Sequence, residues 1–142
     1  MSPFSNPRSD ADLRDAFYSV KSIAELANFF EVRSQKLAFL LYGEKKIRDQ
    51  YVEFHINKKN GGKRKIVAPS STIKLLQRKL NYVLQLIYRT NISAHGFIPG
   101  RSILTGAEKH IKRKTLLNID LKDFFHAINF GRVRGLFFER TI

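Results

Sequence analysis

Helical spacing in the first fifty residues, a strand, turn and strand just after them, and a long amphipathic stretch followed later by an apolar run together predict an α+β chain. Its expected parts are N-terminal helices, an antiparallel β-hairpin, a long supporting helix, and one further strand leading into a helical segment. The 142 residues are one domain's worth, and 43% of them are hydrophobic, enough to close a core. Against 12 acidic side chains stand 26 lysines and arginines, a formal charge of +14. Such self-repulsion is costly unless a polyanion shares the surface, so nucleic acid is the first partner to consider. A membrane surface fits poorly, because the sequence has neither an apolar span nor a long basic amphipathic helix, and its first residues have no secretory core. With 0 cysteines there is no disulfide framework and no zinc–thiolate site, which fits a cytoplasmic protein.

Residues 1–9, with two prolines, three serines and an asparagine, read as a flexible lead-in. A short helix is expected from Asp10 to Val20. Ser22 and Glu25 stand at capping-box spacing, and Ile23, Leu26, Ala27 and Phe30 then recur at helical intervals. A third helix starts at Ser34 and runs through Leu37, Ala38, Leu40 and Leu41 to a stop at Gly43. These stripes read as packing faces. Their polar sides offer Lys21, Arg33, Lys36, Lys45, Lys46 and Arg48.

Tyr51 to Ile56 alternates in a β pattern, residues 57–62 hold the turn Asn-Lys-Lys-Asn-Gly-Gly, and Lys63 to Ala68 returns as a second strand ended by Pro69. Five basic residues fall within eight positions at the tip. That finger suits phosphates, and on residues alone it equally suits the solubilising of an edge hairpin. Ser70, Ser71 and Thr72 precede a long helix whose apolar stripe is Leu76, Leu80, Val83, Leu84 and Ile87, with Gln77, Arg78, Lys79, Gln85 and Arg89 assigned to its other faces. Asn91 to Ser102 carries two glycines and a proline and is expected to be irregular. A helix from about Ile103 to Ile111 and a basic turn ending in Lys112, Arg113 and Lys114 follow.

The strand expected next, Thr115 to Ile119, ends at Asp120; Asp123 stands three residues on, followed by Phe124 and Phe125. One reading places a charged site at the rim of a buried strand. The other makes Asp120 a cap, Asp123 a solvated turn residue and the phenylalanines core. His55, His95, His110 and His126 lack the spacing of a helical metal site, and no P-loop, nucleophile elbow or dinucleotide fingerprint occurs.

Three motifs in this order, the basic Gly-Gly hairpin, Ala94-His95-Gly96-Phe97-Ile98-Pro99-Gly100-Arg101-Ser102-Ile103, and Asn118-Ile119-Asp120-Leu121-Lys122-Asp123-Phe124-Phe125, resemble the front half of a bacterial reverse transcriptase. Retron enzymes are nearest and group II intron enzymes next; the resemblance runs from about Tyr51 onward. It implies a helical extension over residues 1–50, fingers over 51–114 and the start of a polymerase palm over 115–142. In that family the hairpin closes over the incoming deoxynucleoside triphosphate, so Arg64 is implied as the triphosphate-binding arginine, with Lys63 and Lys65 beside it. A guanidinium suits that task because it donates twice to phosphate oxygens. Arg101 is implied as a phosphate or nucleotide contact, with His95, Gly96 and Phe97 shaping a loop along template and primer and Lys112 and Arg113 guiding the strand.

Phosphoryl transfer of this kind uses two divalent ions about 4 Å apart. The resemblance implies that Asp120 bridges two Mg2+ ions and that the Leu121 carbonyl supplies another oxygen. The backbone around Asp123 and Phe124 would meet the triphosphate, while Phe125 would gate out a ribose 2′-hydroxyl. The implied partners are a structured RNA serving as template and primer, an RNA–DNA hybrid and deoxynucleoside triphosphates. Such enzymes resemble parts of antiviral defence systems. Two departures stand out: His126-Ala127 replaces the usual proline and serine, and no Asp-Asp dipeptide of a second motif occurs. The palm is therefore expected to be incomplete, the missing palm and thumb to be a partner, and these 142 residues to be inactive as a polymerase by themselves. The C-terminal third is expected to be poorly supported. A catalytically silent RNA-binding module and a generic basic interaction domain are the alternatives.

Overall fold

The structure, a computed structural model, describes residues 2–6, 8–43 and 47–139, so Lys45 and Lys46 lie outside the described residues, as does the Arg48 side chain. The chain divides into two compact units, Met1–Tyr88 and Arg89–Ile142. The described residues combine helices with a two-stranded antiparallel sheet, as an α+β chain requires.

In the first unit, helices α1 (Asp10–Ser19), α2 (Ile23–Phe29) and α3 (Ser34–Tyr42) precede a single 3-10 turn (Ile47–Gln50). Strands β1 (Tyr51–Asn57) and β2 (Lys63–Pro69) and the long helix α4 (Ser71–Ile87) follow. The helix ends explain these bounds. At α1 the Ser9 hydroxyl accepts from the Asp12 amide (3.1 Å) while the Asp12 carboxylate accepts from the Ser9 amide (3.2 Å), a reciprocal capping box. The box expected at α2 is half made. Ser22 accepts from the Glu25 amide (3.2 Å), but the Glu25 carboxylate reaches back one residue further, to the amide of Lys21 (2.7 Å). Helix α2 ends in a Schellman motif, with Val32 N donating to Ala27 O (2.9 Å) and Glu31 N to Asn28 O (3.0 Å). The left-handed position of that motif, φ 56, is held by Glu31. Gly43 stops α3 for a different reason: its φ of −62 is ordinary, and a Cβ there would run into the Phe39 carbonyl.

Leu13 and Val83, both 0% exposed, centre a core shared with Phe4, Phe29 and Phe30, and Leu76, Leu80 and Ile87 of the expected α4 stripe pack against it. Two expectations are corrected here. The lead-in is not merely flexible, since Phe4 is buried with its ring edge-on to Phe29 at 5.4 Å. An aromatic ring buries enough apolar area to hold a short segment down. Lys79 is not on an outer face of α4 but is 2% exposed. It lies three residues after Leu76 and four before Val83, on the buried stripe by helical spacing. Its ammonium donates to the Phe30 carbonyl (2.8 Å) and the Glu31 carboxylate (2.6 Å) and lies 5.2 Å from the Phe4 ring centre. Glu31 in turn accepts from the amides of Ser5 (3.0 Å) and Asn6 (3.1 Å). Burial alone would push the Glu31 carboxyl up. The Lys79 ammonium and the two amides outweigh it and bring the pKa from 4.5 down to about 2.

The second unit holds α5 (Ile103–Glu108), α6 (Phe124–Ala127) and α7 (Phe130–Glu139). Helix α5 stops three residues short of the expected Ile111. The strand expected over Thr115 to Ile119 is not formed, and Leu116, Leu117 and Ile119 are largely exposed. A run of strand character becomes a strand only against a partner, and among the described residues β1 and β2 pair with each other alone. Among the described residues, no helix is long and apolar enough to cross a membrane.

Candidate nucleic-acid interface

The hairpin places its charges by strand alternation. Directly opposed residues of an antiparallel pair share a face. The pairs Val52 with Ala68, Phe54 with Ile66 and Ile56 with Arg64 therefore lie on one face. His55 with Lys65 and Asn57 with Lys63 lie on the other. Arg64 thus crowns an apolar face, while Lys63 and Lys65 point away from it. Lys65 is further engaged by Glu53 at 2.7 Å, a solvent-exposed pair of little energetic weight. The turn closes through Lys58 N donating to Gly62 O (3.0 Å), with Gly61 and Gly62 both at φ 79, where a side chain would be strained. Arg64 then lines a shallow concavity of about 460 Å³ with Ile56, Asn57, Lys58, Lys59 and Asn60. Lys58 and Lys59 of the basic tip share this concavity with Arg64, whereas Lys63 and Lys65, its neighbours in sequence, lie on the other face of the hairpin. Period-two alternation was the signal that would have found this.

The loop from Asn91 to Ser102 is organised by Arg101. Its Nη1 donates to the carbonyls of Asn91 (2.6 Å), Ile92 (3.2 Å) and Ala94. Ser102 begins α5 with a capping box to Thr105, whose hydroxyl also meets His95 Nδ1 at 2.9 Å. His95 fits there because Gly106 has no Cβ; one would come within 3.3 Å of the His95 Cβ. The outer ring nitrogen, Nε2, is buried with no partner among the described residues. Gly96 is exposed, and Phe97 projects from left-handed backbone at φ 59. Beyond α5, Lys112 (φ 63) and Arg113 stand exposed on a turn.

Asp120 is exposed rather than set at the rim of a buried strand, because that strand is absent. Asp123 takes a left-handed conformation, φ 52 and ψ 32, which reverses the chain into α6 without a side-chain cap. The reversal brings Phe124 and Phe125 edge to face, 5.4 Å apart at 71°, so the phenylalanines pack on each other and not into a core. Ile119, Asp120, Leu121, Asp123, Phe124 and Phe125 together line an open concavity of about 520 Å³. Its two carboxylates and the Leu121 carbonyl are hard oxygen donors, the kind that magnesium takes. Among the described residues no three ligand-type side chains converge, so the set suits the ion in kind and falls short of a two-ion site in number.

No protein-family model and no solved structure matches the chain. Curated proteins do. The chain is 48% identical over 86 residues to the retron Mx65 reverse transcriptase of Myxococcus xanthus, a stretch covering 61% of this chain and 20% of that protein. It is 38% identical over 99 residues to the retron Mx162 reverse transcriptase of the same organism, covering 69% and 20%. It is 43% identical over 81 residues to the retron Ec73 reverse transcriptase of Escherichia coli, covering 55% and 25%. The chain spans about a fifth to a quarter of the length of these relatives. Over the stretch they share, the chain is similar in sequence to the retron reverse transcriptases, the family its motifs resemble.

Proposed function

We propose that the chain supplies the fingers and the first palm carboxylate of a cytoplasmic RNA-directed DNA polymerase of the retron type. What carries the reading is the similarity to retron reverse transcriptases, together with Asp120, Asp123 and the paired phenylalanines around one open concavity. On this reading Asp120 and the Leu121 carbonyl hold magnesium, whose chemistry when bound is to lower the pKa of a primer hydroxyl and neutralise a leaving pyrophosphate. Phe125 borders the sugar of the incoming deoxynucleotide and excludes a 2′-hydroxyl. Arg64, with Lys58 and Lys59, meets the triphosphate. The loop containing His95, Gly96 and Phe97, with Lys112 and Arg113, runs along a structured RNA template and primer. One aspartate does not hold two ions with useful affinity, so the 142 residues alone are expected to bind RNA and not to extend a primer.

The test joins this chain to the palm and thumb of a retron reverse transcriptase and measures magnesium-dependent primer extension. Asp120→Asn should lower extension roughly hundredfold or more while leaving RNA affinity in place. Equal extension by both would sink the assignment of Asp120. Extension by neither, with RNA binding intact and weakening steeply as salt rises, would favour a silent RNA-binding module.

A further inference from the structure

The loop from Asn91 to Ser102 spends its polar groups on its own backbone and on α5, through Arg101 and His95. Phe97 takes no part in this. Its ring is fully exposed, at 101%, and its backbone sits at φ 59, where an aromatic residue is disfavoured and glycine would fit without strain. Neither burial nor backbone preference accounts for a phenylalanine here. What the loop holds out is a flat π-face. Helix α5, six residues and so roughly 9 Å long, connects this loop to the run Lys109, Lys112, Arg113 and Lys114. An aromatic face followed, one short helix later along the chain, by a cationic run supplies the two ingredients that bind single strands: a ring on which a base stacks and cations that the phosphates follow.

Resting on the nucleic-acid reading above, we propose that Phe97 is a stacking platform for an unpaired base of bound RNA, and that Arg101 is a positioning residue that keeps the platform extended. The choice of RNA over a protein partner follows from charge, since a surface of formal net charge +14 recruits a polyanion to the neighbourhood of the ring. Stacking needs a free base face, so the platform should distinguish unpaired from duplex RNA, which the cations alone do not.

The experiment uses the whole 142-residue chain and two probes, a short unstructured oligoribonucleotide and an RNA hairpin duplex of equal charge. Phe97→Ala should weaken the single strand about tenfold, leaving duplex affinity and both salt slopes unchanged, and Phe97→Trp should restore it. Phe97→Gly, which relieves the backbone, should melt no lower than wild type yet bind the single strand as weakly as Phe97→Ala. Arg101→Lys keeps the charge but loses the fan of carbonyl contacts; it should weaken the single strand, speed amide exchange across the loop and leave the salt slopes alone. Three results would overturn the inference: unchanged single-strand affinity in Phe97→Ala, equal losses on both probes, or a self-associated chain that Phe97→Ala dissociates, which would make the ring a protein contact. If the wild-type chain binds neither probe in a salt-dependent way, the nucleic-acid reading itself fails, and the two failures are thereby told apart.

Discussion

The first unit holds its shape by burial, the second by hydrogen bonds to its own backbone. Leu13 and Val83 are sealed in the first, whereas Leu117 and Phe125 in the second are 78% and 80% exposed, and no side chain beyond Tyr88 whose burial the structure describes is buried. What stands in for a core there is local: Arg101 gathering three carbonyls, the Ser102 and Thr105 box, and His95 settled against Gly106. The difference teaches where each kind of side chain is available. The loop and carboxylate groups of the second unit are presented on a frame with little described burial, and in the first unit the hairpin that carries Arg64 lies outside the buried core.

The sharpest way to break that contrast is at the clasp. Lys79→Ala leaves the Glu31 carboxylate inside without its ammonium and should cost about 3–5 kcal/mol in urea unfolding of the first unit. A cost under about 1 kcal/mol would mean that water replaces the lysine. Leu13→Ala removes a fully buried side chain and should cost about 2–5 kcal/mol, while Leu117→Ala should stay within about 0.5 kcal/mol. If Leu117→Ala proves as damaging as Leu13→Ala, the exposed run has a partner in solution and the contrast dissolves.

Acid offers a gentler probe of the same feature. Because the folded pKa of Glu31 is lowered from 4.5 to about 2, its contribution is fully present above the ordinary carboxylate value and fades as pH falls through about 2. That contribution is about 3 kcal/mol. Glu31→Gln should flatten this part of the pH–stability curve, and a parallel curve for the variant would remove the carboxylate from the account.

Regular periods made much of the first unit legible. Helices α1 to α4 and both strands fall close to where spacings of 3.6 and 2 place them: the helical period follows one face meeting a core, and the strand period follows the pleat of β1 paired with β2, whose side chains stay mostly exposed. The exceptions are long-range or geometric. Nothing local in Ser2 to Asn6 announces that Phe4 will be covered, since its partners lie in α2 and α4. Lys79 was hidden by its chemistry, although its interval from Leu76 and Val83 marked it as inward. Thr115 to Ile119 has the composition of a strand, yet a ladder is a property of two segments and, among the described residues, no second one pairs with it. At the candidate site, Asp120 to Phe125 are neighbours in sequence and stay together in space, so their grouping was readable. Arg64 faces away from Lys63 and Lys65, its neighbours in sequence, because adjacency along a strand means opposite faces.

The amides of Ser5 and Asn6 are wired through Glu31 to the middle of α4, so the opening residues belong to the folded body as much as any helix does. Anyone trimming the polypeptide to its first helix for expression would strip the Phe4 ring from the core and two donors from a carboxylate. The sensible cut therefore lies ahead of Ser2, and a cleavable leader placed there should be tolerated where a deletion would not.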